Sequence, residues 1–221
     1  MKKAILSFIL ALLALSFNNN ALAAKPLSLR LNLGAAHYPL PAWSDFIGQL
    51  SNSEYKKDIV NPYGSLALYY DLSPKHSLFV GTEYLRTNAY LDAVLDDMVE
   101  DHAAWKFTAT PLDLGYEFKL NPATDGLRQL LMVGVSYFRS EVSVESYTVP
   151  EIFPPEKLKR TGNGYGFFGG IGLEKNYTEL LYTTVNFRAR YADGMYFDDD
   201  PEDINVEFTS FDVNLGIGWR F

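Results

Sequence analysis

The sequence predicts an all-β protein, an eight-stranded antiparallel transmembrane β-barrel built as an up-and-down meander. Three observations predict this fold. Several segments place apolar residues at every second position, which is the period of a strand with one apolar face. The connections between these segments alternate between short and long, as expected of hairpins that cross a bilayer. After the first 24 residues, no segment has the roughly 18 consecutive apolar residues that a spanning helix needs, although 48% of the chain is hydrophobic.

The first 24 residues have the three parts of a secretory signal peptide. Lys2 and Lys3 provide a positive start, an apolar run covers 4–17, and Ala21-Leu22-Ala23 is a small-residue cleavage site. A retained anchor helix is the alternative, but the run is too short to span a bilayer. We therefore predict a signal peptide at 1–24, a single barrel domain at 25–221 and an exported protein.

The last strand shows the clearest alternation. From Phe211 to Phe221, every odd position is apolar and every even position is polar or glycine. A soluble sandwich strand could alternate in the same way, but it would seldom end on an aromatic residue that is also the last of the chain. The segment 78–89 alternates least cleanly. In chain order, the predicted strands are 27–36, 65–72, 78–89, 112–120, 131–138, 165–174, 181–191 and 206–221.

The connections divide into two groups that should lie at opposite ends of the barrel. With an even number of strands, both termini lie at the end with the short turns, which is the periplasmic end in outer-membrane barrels. Apolar residues at helical spacing predict a short helix in the run from Leu91 to Val99. The short connections are 73–77, 121–129 and 175–178, and the long connections are 39–62, 90–104, 145–163 and 192–205.

Charged residues fall on the face opposite the apolar one, which places them inside the barrel. An eight-stranded barrel has room inside only for side chains or one small ligand. One hypothesis is a plug of salt bridges that satisfies the buried charges. The other is a narrow pore that Arg188 and Arg190 bias towards anions, with space left by Gly166, Gly170 and Gly172. The inward charged residues are Arg30, Asp71, Glu83, Asp113, Glu117, Lys119, Glu174, Arg188, Arg190, Asp212 and Arg220.

Two long connections carry acidic clusters, between Asp92 and Asp101 and between Asp198 and Asp203. They could bind divalent cations, such as those that bridge lipopolysaccharide phosphates, but neither has EF-hand spacing. A solvated, repulsive loop is the alternative. The run from Pro150 to Arg160 mixes apolar and basic residues and could contact lipid head groups or a partner. The formal net charge of -8 argues against nucleic acid as a partner, and no cofactor motif is present.

An outer-membrane hydrolase would need a hydroxyl nucleophile beside a histidine and an orienting acid. Of the three histidines, His37 ends a strand and His76 lies in a short turn. Only His102 could meet Ser143 or Ser146 across the rim. The histidine positions therefore favour a protein that is not an enzyme.

The carboxy-terminal pattern Gly216-Ile217-Gly218-Trp219-Arg220-Phe221, together with the topology, resembles that of the small eight-stranded outer-membrane barrels of the OmpA transmembrane domain, OmpX and OmpW type. The resemblance covers 25–221. It implies a monomer in the outer membrane, in contact with lipid and lipopolysaccharide. It also implies delivery to the outer-membrane assembly machinery through a signal that includes Trp219 and Phe221.

The resemblance marks the class and not the activity. We expect a structural or surface-interaction role through the extracellular loops. A narrow channel for ions or small solutes is the second hypothesis, and a lipid-modifying outer-membrane hydrolase is the third. A soluble, lipocalin-like periplasmic barrel would need a partner to cover its outward apolar rows.

Overall fold

The computed structural model shows a closed antiparallel barrel. Eight strands follow one another as a meander, and the first strand is hydrogen-bonded to the last. A ninth, short strand pairs with the outer part of one barrel strand. The prediction of an eight-stranded antiparallel barrel is therefore confirmed. The structure describes residues 26–39, 53–57, 60–96, 99–120, 126–149, 156–197 and 208–221.

Both termini of the barrel lie at the end with the short turns, as predicted. All eight predicted strands are present within these ranges, and the least clean of them has the predicted register, with Glu83 inward and Tyr84 outward. The predicted signal peptide lies outside the described residues. The strands are β1 (Leu27–His37), β2 (Ser53–Lys57), β3 (Asn61–Ser73), β4 (His76–Asp96), β5 (Val99–Lys119), β6 (Leu127–Val149), β7 (Glu156–Asn176), β8 (Leu181–Phe197) and β9 (Ser210–Arg220).

The outward face forms an apolar band between two rings of aromatic residues. Leu33 and Leu215 have 66% and 63% of their surface exposed, which is favourable against lipid and costly against water. Tyr137 and Tyr165 on neighbouring strands are in ring contact, with centroids 5.2 Å apart. The upper aromatic girdle, at the end away from the short turns, consists of Tyr84, Tyr137, Tyr165, Tyr191 and Phe211. The lower ring consists of Tyr70, Tyr116, Tyr177, Trp219 and Phe221.

The barrel wall rises well beyond the upper aromatic girdle. Strands β4, β5 and β7 have 21 residues each and β6 has 23, about twice the 9–11 residues that cross a bilayer. The prediction of long connections at 90–104 and 145–163 is therefore wrong, because most of these residues continue the strands. The predicted helix from Leu91 to Val99 is also wrong. The described residues of this run, Leu91 to Asp96, belong to β4, which pairs with β5 and β2 in a sheet, and these hydrogen bonds override the helical spacing.

Strand β2 lies within the predicted connection 39–62 and was not predicted. It pairs with β4 from Ser53 opposite Ala93 to Lys57 opposite Ala89. Strand β3 begins at Asn61, and β4 continues beyond that level. There β2, instead of β3, is the neighbour of β4. Strands β4 to β7 are thus the tall side of the wall, and β2 extends the sheet on one flank. No helix in the described ranges is long and apolar enough to cross a membrane.

Candidate functional site in the barrel interior

Five charged side chains meet near the middle of the barrel and form what we term the central charge cluster: Glu83, Asp113, Arg188, Arg190 and Asp212. Arg190 donates to Glu83 Oε2 at 3.1 Å and to Asp113 Oδ2 at 3.0 Å. Arg188 donates to Asp212 Oδ2 at 2.9 Å and also pairs with Glu83. These side chains come from β4, β5, β8 and β9, so their ion pairs cross the interior. None is more than 8% exposed.

Neutral donors complete the central charge cluster, because three carboxylates face only two guanidinium groups. Ser136 donates its hydroxyl to Asp113 Oδ1 at 2.5 Å. Tyr63 donates to Asp212 Oδ1 at 2.6 Å and accepts from Asn214 Nδ2 at 2.9 Å. In a region of low dielectric constant, such a bonded network is strong and rigid, whereas an unpaired member would be costly.

A second ion pair lies nearer the short turns. Arg30 on β1 donates to both carboxylate oxygens of Glu117 on β5, at 2.9 and 3.3 Å. The same guanidinium donates to the Tyr69 hydroxyl at 2.9 Å and lies over that ring, 4.0 Å from its centroid. The two charged side chains are 2% and 0% exposed. This pair is therefore buried, forked and supported by an aromatic ring.

Two more ion pairs lie at the short-turn end. Lys119 Nζ contacts Asp71 Oδ1 at 2.9 Å. Arg220 donates to Glu174 Oε1 at 2.6 Å, and its guanidinium lies over the Tyr182 ring at 4.2 Å. All eleven residues that the sequence placed inside the barrel thus face inward, and each belongs to an ion pair. Alternation alone does not reveal which carboxylate pairs with which cation.

Aromatic side chains separate these charged layers. Tyr69 and Phe79 are stacked with centroids 4.8 Å apart, and Phe79 and Phe168 are 6.0 Å apart. The rings fit because inward glycines on adjacent strands leave room for them. A Cβ built at Gly115 would overlap Phe79, and one at Gly134 would overlap Phe168.

The space that the glycines of β7 were expected to leave is also filled. A Cβ at Gly166 would meet Phe138 and the backbone of β8, and one at Gly170 would meet Met132 and the backbone of β8. A Cβ at Gly172 would meet the Asn186 side chain. In the described part of the interior, a cavity of about 30 Å³ lies beside Arg188 and Tyr69. A polar cavity of this size is large enough to hold water.

An apolar cluster, which we term the upper core, fills the barrel above the central charge cluster. It includes Phe107, Phe138 and Phe208, which are fully buried, and Leu85 and Tyr38, which are 1% exposed. This cluster was missed in the sequence because most of its members lie near or beyond the ends of the predicted strands. The inward alternation of Leu85, Ala89 and Leu91 was the available signal.

The contacts proposed for a hydrolase do not form. His102 Nδ1 lies 2.7 Å from Asp92 Oδ1 on the neighbouring strand. Ser146 is opposite Ala103, the residue after His102, so the Ser146 side chain lies on the other face of the wall from that of His102. Ser143 is opposite Lys106, which is four residues along the strand from His102. Asp92 itself is on β4 rather than in a loop. The Asp198–Asp203 cluster and residues 150–155 lie outside the described residues.

The proposed assembly signal is at the seam where the barrel closes. Trp219 and Phe221 face outward with 51% and 56% of their surface exposed. The Phe221 N–H donates to the Leu27 carbonyl at 3.0 Å. The two aromatic side chains are therefore accessible at the lower ring while the backbone is fixed in the sheet.

Comparisons with known proteins agree with this geometry. A family model described as the outer membrane protein beta-barrel domain matches residues 7–221. OprG, an outer membrane protein from Pseudomonas aeruginosa, has a TM-score of 0.51 and 12% sequence identity over 91% of this chain and 98% of its own. A major outer membrane protein from Thermus thermophilus has a TM-score of 0.51 and 12% identity over 88% and 99% of the two chains.

Identities this low show a shared fold and carry no activity across. The outer membrane protease OmpT from Escherichia coli has a TM-score of only 0.43 and 11% identity over 89% of this chain and 94% of its own. No curated protein matches the chain. Because the family model spans nearly the whole sequence and the fold is a closed antiparallel barrel, the chain belongs to the family of outer-membrane β-barrel proteins.

Proposed function

We propose that this protein is a closed, non-catalytic barrel that acts as a structural and surface-interacting component of the outer membrane. The observation that carries the proposal is the filled interior, where ion pairs that cross the barrel alternate with layers of aromatic side chains. A channel would need a continuous water path past Arg30, Arg188 and Arg190, and all three are buried.

The energetic cost of opening supports a closed interior. Leaving one member of a buried ion pair without its partner costs about 3–5 kcal/mol. A path past the central charge cluster would separate several such pairs, since Arg188 and Arg190 each contact more than one carboxylate. A path past the Arg30–Glu117 pair would separate another. Thermal motion at one layer is therefore insufficient to open the lumen.

The tall side of the wall supports the second part of the proposal. Above the upper aromatic girdle, β4, β5 and β6 contribute most of the side chains of the upper core, which has the composition of a soluble protein interior. Such a core makes the wall stiff where it projects into the medium. A rigid extension holds its rim in position for contact with molecules outside the cell. Crossing the bilayer alone would not require strands of this length.

Ion flux from lipid vesicles tests the proposal. The refolded mature chain, residues 25–221, should release an entrapped ion no faster than empty vesicles, while an open porin in matched vesicles releases it readily. The narrow channel is the competing hypothesis, because a small polar cavity lies beside Arg188. Flux from the wild-type protein that changes in Arg188→Ala would support the channel and refute the closed barrel.

A further inference from the structure

The small polar cavity next to the central charge cluster is lined by oxygen-bearing side chains from five strands. Glu83 and Asp113 contribute carboxylates, and Asn32, Ser65 and Asn186 contribute amide and hydroxyl groups. Because these residues lie on β1, β3, β4, β5 and β8, the cavity is inside the barrel and not within its wall. Its oxygen atoms are of the kind that hard metal cations prefer as ligands.

The central charge cluster carries an excess of negative charge. Its three carboxylates and two guanidinium groups give a formal net charge of -1. Ser136 and Tyr63 donate hydrogen bonds to the carboxylates but add no positive charge. The next charged layer towards the short turns, Arg30 with Glu117, is a neutral pair and does not compensate the excess. Since an uncompensated buried charge is costly, one further positive charge would stabilise the cluster.

Two amide oxygens of residues that line the cavity lack a partner. Among the described residues, no group donates a hydrogen bond to Oδ1 of Asn32 or to Oδ1 of Asn186, although the two residues are only 7% and 3% exposed. Their amide nitrogens are already used, because Asn32 donates to Ser65 Oγ and Asn186 donates to Asn214 Oδ1, both at 2.8 Å. Exchanging oxygen and nitrogen would therefore sacrifice these bonds. Buried acceptors without a donor cost free energy, and a cation in the cavity would satisfy them.

We propose that this cavity binds a small monovalent metal cation such as sodium. One positive charge neutralises the excess of the central charge cluster, whereas a divalent ion would overcompensate it. The cavity offers the carboxylate, hydroxyl and amide carbonyl oxygens that hard cations bind. Its volume of about 30 Å³ is large enough for a sodium ion but not for a larger solute. Because the ion binds the folded barrel alone, it stabilises the closed interior.

Unfolding by urea in two different salts tests the proposal. The refolded mature chain in vesicles of zwitterionic lipid is unfolded at about pH 8, where carboxylic acids are normally ionised, and tryptophan fluorescence reports the transition. Sodium chloride is compared with choline chloride at equal ionic strength, because choline is too large for the cavity. With sodium roughly 30-fold above its dissociation constant, the wild-type urea midpoint should be about 1 M higher in sodium than in choline.

Three variants locate the effect. Asp113→Asn removes the excess charge and should unfold at the same urea concentration in both salts. Met132→Lys extends an ammonium group into the same cavity from a side chain of similar length. It should also lose the dependence on sodium, and it decides the question if Asp113→Asn does not fold. Glu145→Gln, whose side chain is 63% exposed on the outer wall, is the matched control and should keep the wild-type difference.

Equal wild-type midpoints in sodium and choline would overturn the proposal, since the cavity would then hold water alone. A difference that persists in both cavity variants would also overturn it, because sodium would then act elsewhere on the protein. A wild-type midpoint that changes between about pH 8 and about pH 5 but not with sodium would assign the balancing charge to a proton on a carboxylate, against the proposal. Stability is measured here and not conductance, so the result is independent of whether the lumen conducts.

Discussion

Arg190 on β8 and Glu83 on β4 lie four strands apart in either direction around the barrel, yet Nη1 of the arginine is 3.1 Å from Oε2 of the glutamate. An ion pair that spans the interior places two buried side chains across any water path at its level, beside the small polar cavity that Glu83 also lines. Both side chains are also held by other members of the central charge cluster. Neither can therefore swing aside alone, which supports the closed interior that we propose.

The Arg30–Glu117 pair makes a direct prediction for stability. Glu117→Leu leaves a buried guanidinium without its acceptor and should lower the free energy of unfolding by about 3–5 kcal/mol. Arg30→Met combined with Glu117→Leu should recover much of that loss, because neither charge is then stranded. Denaturant titration of the protein in lipid vesicles measures both variants. A double variant as unstable as the single one would show that charge burial is not the cause.

The contact between Gly134 and Phe168 predicts a steric effect. Gly134→Ala places a methyl group against the ring and the β5 backbone, and overpacking of this kind costs about 1–3 kcal/mol. Gly169→Ala is the matched control, because its Cβ faces outward and meets only ordinary van der Waals contact. The midpoint temperature of heat-modifiable gel mobility should fall for the first variant alone. Equal midpoints for the two variants would contradict the packing that we describe.

Because the upper core lies beyond the upper aromatic girdle, a substitution there should destabilise the upper wall and leave the membrane-spanning part of the barrel unchanged. Phe107 is fully buried there, and Phe107→Ala should cost about 3–5 kcal/mol locally. Protease added to reconstituted vesicles should then cleave β4 to β7 above the upper aromatic girdle, while the lower barrel stays protected. Phe187→Ala, on the lipid face of β8, is the control and should leave the upper wall resistant. Cleavage that is unchanged in Phe107→Ala would show that the upper core contributes little.

Because the ring of Phe221 is exposed, its role in assembly can be tested separately from any role in packing. Its backbone N–H is bonded in the barrel seam, but its side chain is 56% exposed. Phe221→Ala should therefore refold in detergent much as the wild type does, while the amount recovered in outer membranes of expressing cells falls severalfold. Membrane extraction followed by quantitative immunoblotting measures this. Normal recovery in cells would remove Phe221 from the assembly signal.

The barrel strands and the inward charges were predictable because lipid and lumen impose opposite polarity on alternate residues. The same physics explains what was missed. On β4, the exposed outward side chains change from Val80 and Tyr84 to Arg86, while the buried inward side chains change from Glu83 to Leu85. Polarity inverts where the strand leaves the bilayer, since water then replaces lipid outside and the upper core replaces the charged lumen. A window that spans the inversion shows little net alternation, so strand residues there were assigned to loops.

The ion-pair partners inside the barrel could not be predicted from the sequence, for a different reason. The partner of Arg190 is decided by closure of the sheet and by the stagger between strands that are far apart in the chain. A single sequence contains no record of that stagger. The glycines were misinterpreted for the same reason, because rings from adjacent strands occupy the space beside them.

Single-channel recording of the refolded mature protein in a planar bilayer tests the closed interior most directly. We predict a silent bilayer after insertion has been verified by protease protection of the lower barrel, in the wild type and in Lys75→Gln alike. Steady conductance in the wild type that is altered by Arg188→Ala would contradict the closed interior and identify a water path through the central charge cluster.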